Sequence, residues 1–411
     1  KALRRQPPRV PARLDRLAAH ASMTTSASAA EVSQRAQQWL KSHRYRFVVD
    51  DDGSLRAEAG RHRETGNLVF HIFLVFVLVG VGWNTLWGFK GTSVVVEGQG
   101  FSNSITQYDE FKAGAMVDTD NLTPFSMKLR KFVVSFETGT VQRGAARSFD
   151  ATVDLTMGGK TQTRDLQVNH PLRIGSTKVH LLGHGYAADV VVRDGDGKVA
   201  YSGPVVFLPQ DANFKSVGVI KAPDARPDRL AFQGFFLPTG AITAGGPTSL
   251  FPDALNPQLY LTAWYGKPTV ETGVPSNIYT LDTTGLTQVT NGKDKARFVL
   301  SPGQRYKLPD GKGSIQFNGW QRWAKIQVSQ NPGLPLTFLS VVLSVAGLCV
   351  SLFSRSRRVW VRTIPGDDGL RVEIGGLDRS DSRSGAVDDV NSLLAALHGD
   401  SMSGDVGEEH S

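Results

Sequence analysis

A long apolar run near the N-terminus constrains the fold of this chain more than any other feature. From Leu68 to Trp87 no side chain carries a fixed charge. As a helix rising about 1.5 Å per residue, the run would span about 30 Å, which matches the hydrocarbon core of a bilayer. Trp83 and Trp87 near its end are typical of the aromatic belt at a membrane interface. The run therefore predicts a transmembrane helix over residues 68–87.

The only titratable side chain in this run is that of His71, which lies one turn from its start. An imidazole in a hydrocarbon environment is costly unless it meets a partner, so an intramembrane histidine indicates a functional site. Two interpretations stay open from the residues alone. His71 either ligates a metal or forms a hydrogen bond with another membrane helix.

A second charge-free run, Leu334 to Phe353, is also long enough to cross a bilayer. Basic residues that flank membrane helices stay on the cytoplasmic side. Here several arginines lie just before the first run and just after the second. By contrast, Lys90 is the only basic residue close to the end of the first run. We therefore predict a multi-pass protein of the plasma membrane, with both tails cytoplasmic and the intervening domain outside. The flanking arginines are Arg56, Arg61, Arg63, Arg355, Arg357, Arg358 and Arg362.

The net charge of +8 is explained largely by this topology. A nucleic-acid-binding face needs clustered basic residues with aromatic platforms, which the sequence does not show, so nucleic acid is not an expected partner. The single cysteine, Cys349, lies within the second run. One thiol cannot form a Cys-x-x-Cys redox pair, and we predict Cys349 to be a small buried apolar side chain.

The stretch between the two runs shows β patterning throughout. Apolar and polar residues alternate over Phe149–Met157, the period of a half-buried strand, and Gly158-Gly159 then turns the chain. Two further hairpins are predicted around the turns at 193–197 and 309–313. The apolar and then Pro/Gly-rich span 232–257 is predicted as a long loop or insertion.

Five segments follow from these features. A basic linker with a small αββ unit (1–67) precedes the first membrane helix (68–87) on the cytoplasmic side. The outside domain (88–333) leads into the second membrane helix (334–353), and an acidic cytoplasmic tail (354–411) ends the chain. The predicted fold class is a membrane protein whose transmembrane helices flank a large all-β extracytoplasmic domain, with a small α+β unit on the cytoplasmic side.

Within the tails, residues 1–28 are predicted as a poorly ordered connector because they are Pro-bearing, basic and then Ser/Thr/Ala-rich. Helical spacing predicts a helix over Ala29–His43. The end of the acidic tail is predicted to be solvated, but one apolar stripe at helical spacing indicates core packing or partner docking. That stripe consists of Val387, Val390, Leu393, Leu394 and Leu397.

Three histidines of the outside domain need a separate assessment: His170, His180 and His184. No His-Glu-x-x-His arrangement is present, so a zinc hydrolase is weakly supported. Gly183 and Gly185 around the last of them indicate a turn. We therefore predict structural roles for all three.

Several stretches, taken in order, resemble the ResB/CcsB family of cytochrome c biogenesis proteins over about residues 5–400. Their order and the two-helix topology make the resemblance specific, since no single motif is decisive. Members of this family usually carry two further membrane helices before this region, so we expect residues to precede Lys1. The stretches are Ala57–His71, Val168–Leu172, Leu181–Tyr186, Leu308–Gly313, Asn331–Leu336 and Ser354–Trp360.

The resemblance implies a membrane subunit that works with a multi-pass ResC/CcsA-type partner, carries haem b across the membrane and presents it to apocytochrome c. The family histidine at the position of His71 is proposed to be an axial ligand of the haem iron, with the second ligand expected from the partner. Such a chain is at most a non-self-sufficient subunit of a haem-attachment synthetase complex. A thioredoxin-like thiol reductant stays open as a further partner. From the residues alone, the alternative is a two-helix receptor or sensor with an outside β ligand-binding domain.

Overall fold

The computed structural model describes residues 6–60, 62–268, 279–354, 356–367, 369–378 and 384–398. Arg61, Arg355 and the acidic residues after position 398, which entered the topology and tail predictions, lie outside the described residues. The chain forms two compact units. The terminal unit comprises Lys1–Gly82 and Gly333–Ser411, and the central unit comprises Trp83–Pro332.

The helices are α1 (Ala29–Ser42), α2 (His62–Trp87), α3 (Leu334–Phe353) and α4 (Ser384–His398). The strands before and within the first half of the central unit are β1 (Ala19–Thr25), β2 (Arg46–Val49), β3 (Leu55–Ala59), β4 (Phe89–Val96), β5 (Gly100–Ser102), β6 (Glu110–Ala113), β7 (Ser126–Phe136), β8 (Ala146–Met157), β9 (Lys160–Gln167), β10 (Leu172–Ile174), β11 (Thr177–Arg193) and β12 (Val199–Pro209). The remaining strands are β13 (Ser216–Ala222), β14 (Arg229–Leu237), β15 (Gly240–Thr243), β16 (Gly246–Ser249), β17 (Gln258–Gly266), β18 (Thr287–Gln288), β19 (Thr290–Asn291), β20 (Asp294–Lys295), β21 (Arg297–Leu300), β22 (Arg305–Lys307), β23 (Ser314–Gln330), β24 (Arg357–Gly366) and β25 (Gly369–Asp378).

A five-stranded sheet forms the centre of the terminal unit, in the order β1-β25-β24-β3-β2, and every neighbouring pair is antiparallel. Helices α1 and α4 pack on one face of it through a shared apolar core. Helix α1 begins with a capping box, because Ser28 Oγ accepts from the Glu31 backbone N–H while the Glu31 carboxylate accepts from the Ser28 N–H. Trp39 and Leu40 lie in the core, which confirms the helix predicted here.

Both tails contain more structure than the sequence predicted. Part of the predicted connector forms β1, and the acidic tail, of which only the end was predicted to be solvated, contributes β24 and β25 besides the helix α4. In β24 the buried Val359 and Val361 alternate with larger polar or aromatic residues, as a half-buried strand requires. The high charge of the tail concealed this pattern, and the partner strand is remote, since Arg358 and Glu58 are 300 residues apart. Core packing is confirmed for most of the apolar stripe of α4, because Val390, Leu393 and Leu397 are buried in the same core, whereas Val387 is exposed.

The second face of this sheet is covered by the N-terminal segment. Trp360 is only 3% exposed, and its Nε1 donates to the carbonyl oxygen of Pro8 at 3.0 Å. The neighbouring Arg56 donates to the carbonyl oxygen of Pro7 at 3.0 Å. The residues predicted as a loose connector therefore accept hydrogen bonds from side chains on this face of the sheet.

The central unit is rich in β structure, as predicted. Its larger sheet runs β18-β17-β14-β13-β12-β11-β23-β4-β6, and β5-β7-β8-β9 form a separate four-stranded sheet. The predicted turn between β8 and β9 is confirmed, with Gly158 and Gly159 at φ of 53° and 76°. The predicted loop over 232–257 is wrong. Phe232 and Phe236 are buried in β14, and β15 pairs with β16 as a hairpin, so the apolar run was a strand buried on both faces.

Two apolar cores fill the central unit, and the long strands β11 and β23 contribute to both. These strands pair antiparallel from Thr177 opposite Gln330 to Arg193 opposite Ser314. One end of the pair supplies residues such as Ile326 to a core shared with the four-stranded sheet. The other end contributes to the core built around the remaining strands of the larger sheet. The junction between the two cores therefore lies midway along β11 and β23.

Candidate functional site

Helices α2 and α3 could each span a membrane by their length and composition. Their large apolar side chains are mostly exposed, for example Leu78 at 67% and Phe338 at 70%. A core helix of a water-soluble protein would bury such side chains. Helix α2 begins at His62, before the predicted start at Leu68, because the polar residues ahead of the apolar run continue the helix.

The two helices meet through glycines. A Cβ atom on Gly66 would lie 2.6 Å from the carbonyl oxygen of Gly347, and one on Gly347 would lie 2.8 Å from the backbone nitrogen of Phe70. Further along the pair, a Cβ atom on Gly80 would collide with the hydroxyl of Thr337. The backbones are therefore in direct contact, as in membrane helix pairs that associate through small residues.

A stripe of small and hydroxyl residues on α3 faces these glycines. Its members are separated alternately by four and three positions, the period that keeps one stripe against a partner helix. Ser344 Oγ donates to the carbonyl oxygen of Phe70 at 3.4 Å. Together Gly66, Gly80 and this stripe form what we call the helix seam. The stripe consists of Gly333, Thr337, Ser340, Ser344, Gly347 and Ser351.

His71 lies next to Phe70 on α2 but outside the helix seam, and its side chain is exposed. Its Nδ1 is 2.8 Å from the carbonyl oxygen of Asn67, one turn earlier. Because a carbonyl oxygen only accepts, Nδ1 must carry the proton, and in the neutral ring the lone pair then belongs to Nε2. The edge of the Phe70 ring, with its centroid 5.0 Å away, further fixes the imidazole. The backbone thus sets the tautomer and leaves Nε2 as a ligand.

A single imidazole supplies one coordination position, and α3 contains no histidine, methionine or tyrosine that could supply another. No group of three or more His, Cys, Asp or Glu side chains suited to a metal ion occurs among the described residues. Cys349, which we predicted to be buried, is exposed. It lies outside the helix seam, so α3 has no neighbour in the described part of the terminal unit to cover it. His71 therefore offers one ligand on an apolar, outward-facing helix surface.

The three histidines of the central unit lie in different surroundings. His170 is exposed in a turn that follows Asn169 at φ 65°. His180 lies on β11 opposite Gln327, where burial and then Lys178 lower its pKa. The structure does not bring these side chains together with His184 into a metal site within its described residues. Structural roles for His170 and His180 stay a prediction.

His184 is enclosed by aromatic rings instead of lying in the turn that its flanking glycines indicated. Its ring stacks on Phe214 with centroids 4.6 Å apart, and Phe149 lies 5.2 Å away. Burial, and then the positive charge of Arg322, lower the pKa of His184 to about 4. The imidazole is therefore neutral at neutral pH.

Arg322 was not singled out by the sequence, although its surroundings are unusual. It is 6% exposed, and its Nη2 donates to Asp253 Oδ1 at 2.7 Å. The guanidinium lies 4.9 Å from the centroid of the Tyr186 ring. Because these residues come from distant parts of the chain, only the alternation of β23 could have indicated that Arg322 points inward.

Comparison with known proteins gives a consistent result. A family model described as the ResB-like family matches residues 1–387. Curated relatives named "Cytochrome c biogenesis protein CcsB" include one from Synechococcus sp. (strain JA-3-3Ab), 22% identical over 316 residues, which covers 76% of this chain and 55% of that protein. Another, from Synechococcus sp. (strain WH7803), is 23% identical over 368 residues and covers 89% of this chain and 69% of that protein. The chain thus spans little more than half the length of the first relative.

Proposed function

The chain belongs to the ResB-like family, its relatives support a role in cytochrome c biogenesis, and we propose that it holds haem b at His71 for delivery to apocytochrome c. The observation that carries this proposal is the hydrogen bond from Nδ1 to the carbonyl oxygen of Asn67, 2.8 Å long. It leaves the lone pair of Nε2 directed away from its own helix backbone. Neutral imidazole is a common axial ligand of haem iron.

The surroundings of His71 fit a haem group. The adjacent surface of α2 is apolar and exposed, with Leu68, Ile72 and Val75 close in sequence to the histidine. When bound, the haem iron would supply the redox-active centre and accept the Nε2 lone pair. The residues of this chain hold the imidazole in one tautomer and supply the apolar surface beside it.

The proposed placement puts α2 and α3 across the plasma membrane, with the five-stranded sheet and helices α1 and α4 in the cytoplasm and the strands between α2 and α3 outside. Among the described residues, Arg63, Arg357 and Arg358 flank the terminal-unit ends of the two helices, whereas Lys90 follows the other end of α2. Basic residues favour the cytoplasmic side. His71 would then lie near the cytoplasmic face, where haem made in the cell arrives.

The proposal requires partners, since His71 is one ligand of two. We expect a multi-pass ResC/CcsA-type protein to supply the other ligand and to dock against the exposed apolar faces of the helix pair. Apocytochrome c is the expected acceptor of haem, and a thioredoxin-like reductant would keep its thiols reduced. Family membership favours this role over the two-helix receptor considered from the residues alone.

The test is His71→Ala in the full chain, purified from membranes of cells that make haem. We expect the visible haem band to fall by at least about tenfold, while the protein stays inserted, because insertion depends on the apolar residues of α2. Added imidazole should enter the space left by the side chain and partly restore the band.

His62→Ala is the matched control, because His62 lies on the same helix, is exposed and falls outside the apolar run. This variant should keep its haem. If His71→Ala instead retains haem with an unaltered spectrum, the ligand assignment is wrong. Loss of the haem band together with loss of the inserted protein would indicate a structural role for His71.

A further inference from the structure

The register of the larger sheet places basic side chains in one line across five neighbouring strands. Arg173 on β10 pairs with Lys178 on β11, and Lys178 pairs with Ser329 on β23. Ser329 in turn pairs with Lys90 on β4, which pairs with Lys112 on β6. Residues directly opposite each other across strands project from the same face of a sheet. We call Arg173, Lys178, Lys90 and Lys112 the basic row.

The basic row projects away from the apolar core beneath it. Val179 and Val328, which flank the row along their strands, are buried in the core shared with the four-stranded sheet. Successive side chains of a strand alternate between faces, so the row lies on the opposite face. Of its members only Lys178 is half-buried, and the other three are exposed. Since neighbouring strands lie about 4.8 Å apart, the row is about 19 Å wide.

This arrangement of charges is unfavourable unless anions neutralise it. Like charges directly opposite each other across strands are destabilising. The row contains two such pairs, Lys90 with Lys112 and Arg173 with Lys178. No member of the row forms an ion pair with any residue that the structure describes. Glu110, which precedes Lys112 by two residues on the same face of β6, balances at most one of the four charges. The face is therefore complementary to an anionic partner outside the chain.

The position of the basic row indicates which anions it meets. Lys90 lies three residues after Trp87, the last residue of α2, so their Cα atoms are at most about 11 Å apart. Ser329, in the same line, precedes the start of α3 at Leu334 by five residues. Trp87 is exposed, as expected for a tryptophan at a membrane interface. With α2 and α3 across a bilayer, the row lies close to the lipid headgroups.

We propose that the basic row binds the phosphate groups of anionic phospholipids on the outer surface of the membrane and so holds the larger sheet against it. Lysine and arginine donate charge-assisted hydrogen bonds to phosphate. Each basic residue close to an anionic surface strengthens binding by about a factor of five. A line of four such residues fits a flat layer of headgroups, whereas one free phosphate contacts only neighbouring members. The inference rests on the membrane placement in the proposed function, but it does not involve haem.

The test uses the full chain in lipid nanodiscs and reads the fluorescence of Trp87. Phosphatidylglycerol and phosphatidylcholine, each brominated near the headgroup, quench the tryptophans that they contact, and subtracting the signal of Trp87→Phe isolates Trp87. We expect the wild type to prefer phosphatidylglycerol at this position by about tenfold. Lys90→Gln/Lys112→Gln should reduce the preference to about twofold. Both lysines are exposed, so this variant keeps its fold.

The matched control is Lys198→Gln/Lys307→Gln, which removes two charges from exposed lysines at the opposite end of β11. Lys307 pairs with Ser314, which lies opposite Arg193 at the end of that strand, and Lys198 lies in the turn that follows Arg193. This control should keep the wild-type preference for phosphatidylglycerol.

Three results would overturn the proposal. They are no preference in the wild type, an unchanged preference in Lys90→Gln/Lys112→Gln, and an equal loss in the control. Loss of the preference when inorganic phosphate replaces chloride at constant ionic strength would also overturn it, because the row would then bind a free anion. Quenching of Trp87 by phosphatidylcholine checks the membrane placement separately. The haem band is measured independently, so the outcome at the basic row is distinguishable from the outcome at His71.

Discussion

His71 in the terminal unit and His184 in the central unit hold an imidazole in opposite ways. His71 is exposed on a helix, and a backbone carbonyl fixes its tautomer. His184 is surrounded by aromatic rings and has an enclosed Nδ1 with no partner among the described residues. The first arrangement makes one nitrogen available as a ligand, and any further ligand must come from a partner. The second keeps the ring neutral because burial lowers its pKa, and it packs the imidazole against phenylalanine rings.

The largest effect should come from a substitution in the helix seam, which affects the helix that carries His71 and leaves the surroundings of His184 unchanged. In Gly66→Leu the new side chain would start 2.6 Å from both the Gly347 oxygen and the Ser351 nitrogen. The backbones must separate, and we expect a loss of about 3 kcal/mol in helix-pair stability, at the upper end of overpacking effects. Heat-induced loss of haem from the purified chain measures this effect.

Gly82→Leu is the control for that change, because a Cβ atom at Gly82 meets nothing within 4 Å. It adds the same side chain to the same helix and should behave as wild type. The central unit, judged by its near-ultraviolet circular dichroism, should be unaffected by either variant. Equal thermal behaviour of the two leucine variants would show that the helix seam does not support the His71 site.

A second, somewhat smaller effect concerns the pH dependence that His184 gives to the central unit. Its pKa is about 4 in the folded protein and near 6.5 when unfolded. As pH falls from 6.5 toward 4, the unfolded chain takes up the proton before the folded chain does. The stability that the neutral His184 contributes is therefore fully present above pH 6.5 and is lost progressively between pH 6.5 and 4. The loss reaches at most about 3 kcal/mol.

Denaturant unfolding of the central unit at pH 7.5 and pH 4.5 checks this expectation. His184→Leu removes the titrating group but keeps an apolar side chain among the rings. Its stability should therefore fall less than that of the wild type between the two pH values. Parallel losses in both proteins would mean that His184 does not control the pH response.

The smallest effect should come from the glycines that flank His184. A Cβ atom on Gly185 would collide with the Trp323 ring, whereas one on Gly183 would be 4.0 Å from Lys325. We expect Gly185→Ala to lower the midpoint of thermal unfolding by the equivalent of about 2 kcal/mol, and Gly183→Ala to be nearly neutral. Similar midpoints for the two alanine variants would show that the approach of Trp323 does not fix this part of β11.

Local pattern was sufficient to predict the two apolar helices and the β character of the central unit. A charge-free run and a period-two alternation are both visible within about ten to twenty residues. The position of His71 on α2 was likewise predictable. Its fixed tautomer was not, because that depends on the backbone carbonyl of Asn67 and on the actual start of the helix.

Features that depend on distant residues could not be predicted. The sheet of the terminal unit combines β1 and β3 with β24 and β25 from the opposite end of the chain. The cluster of aromatic rings around His184, with Arg322 beside it, joins residues from β7, β8, β11 and β23 with one from the turn after β12. In each case the local pattern predicted only that a segment is a strand or a loop. Which residues that segment packs against was determined by the pairing of strands that are remote in sequence.

The pairing of β3 with β24 also has a consequence for biosynthesis. Glu58 emerges from the ribosome 300 residues before its partner Arg358. At about 5 to 20 residues per second, the edge of β3 and the apolar face of α1 wait about 15 to 60 s for completion. An unpaired strand edge invites incorrect association, so the nascent chain needs protection during this interval. Closure of the terminal sheet then requires translation beyond α3, and a product truncated after α3 cannot achieve it.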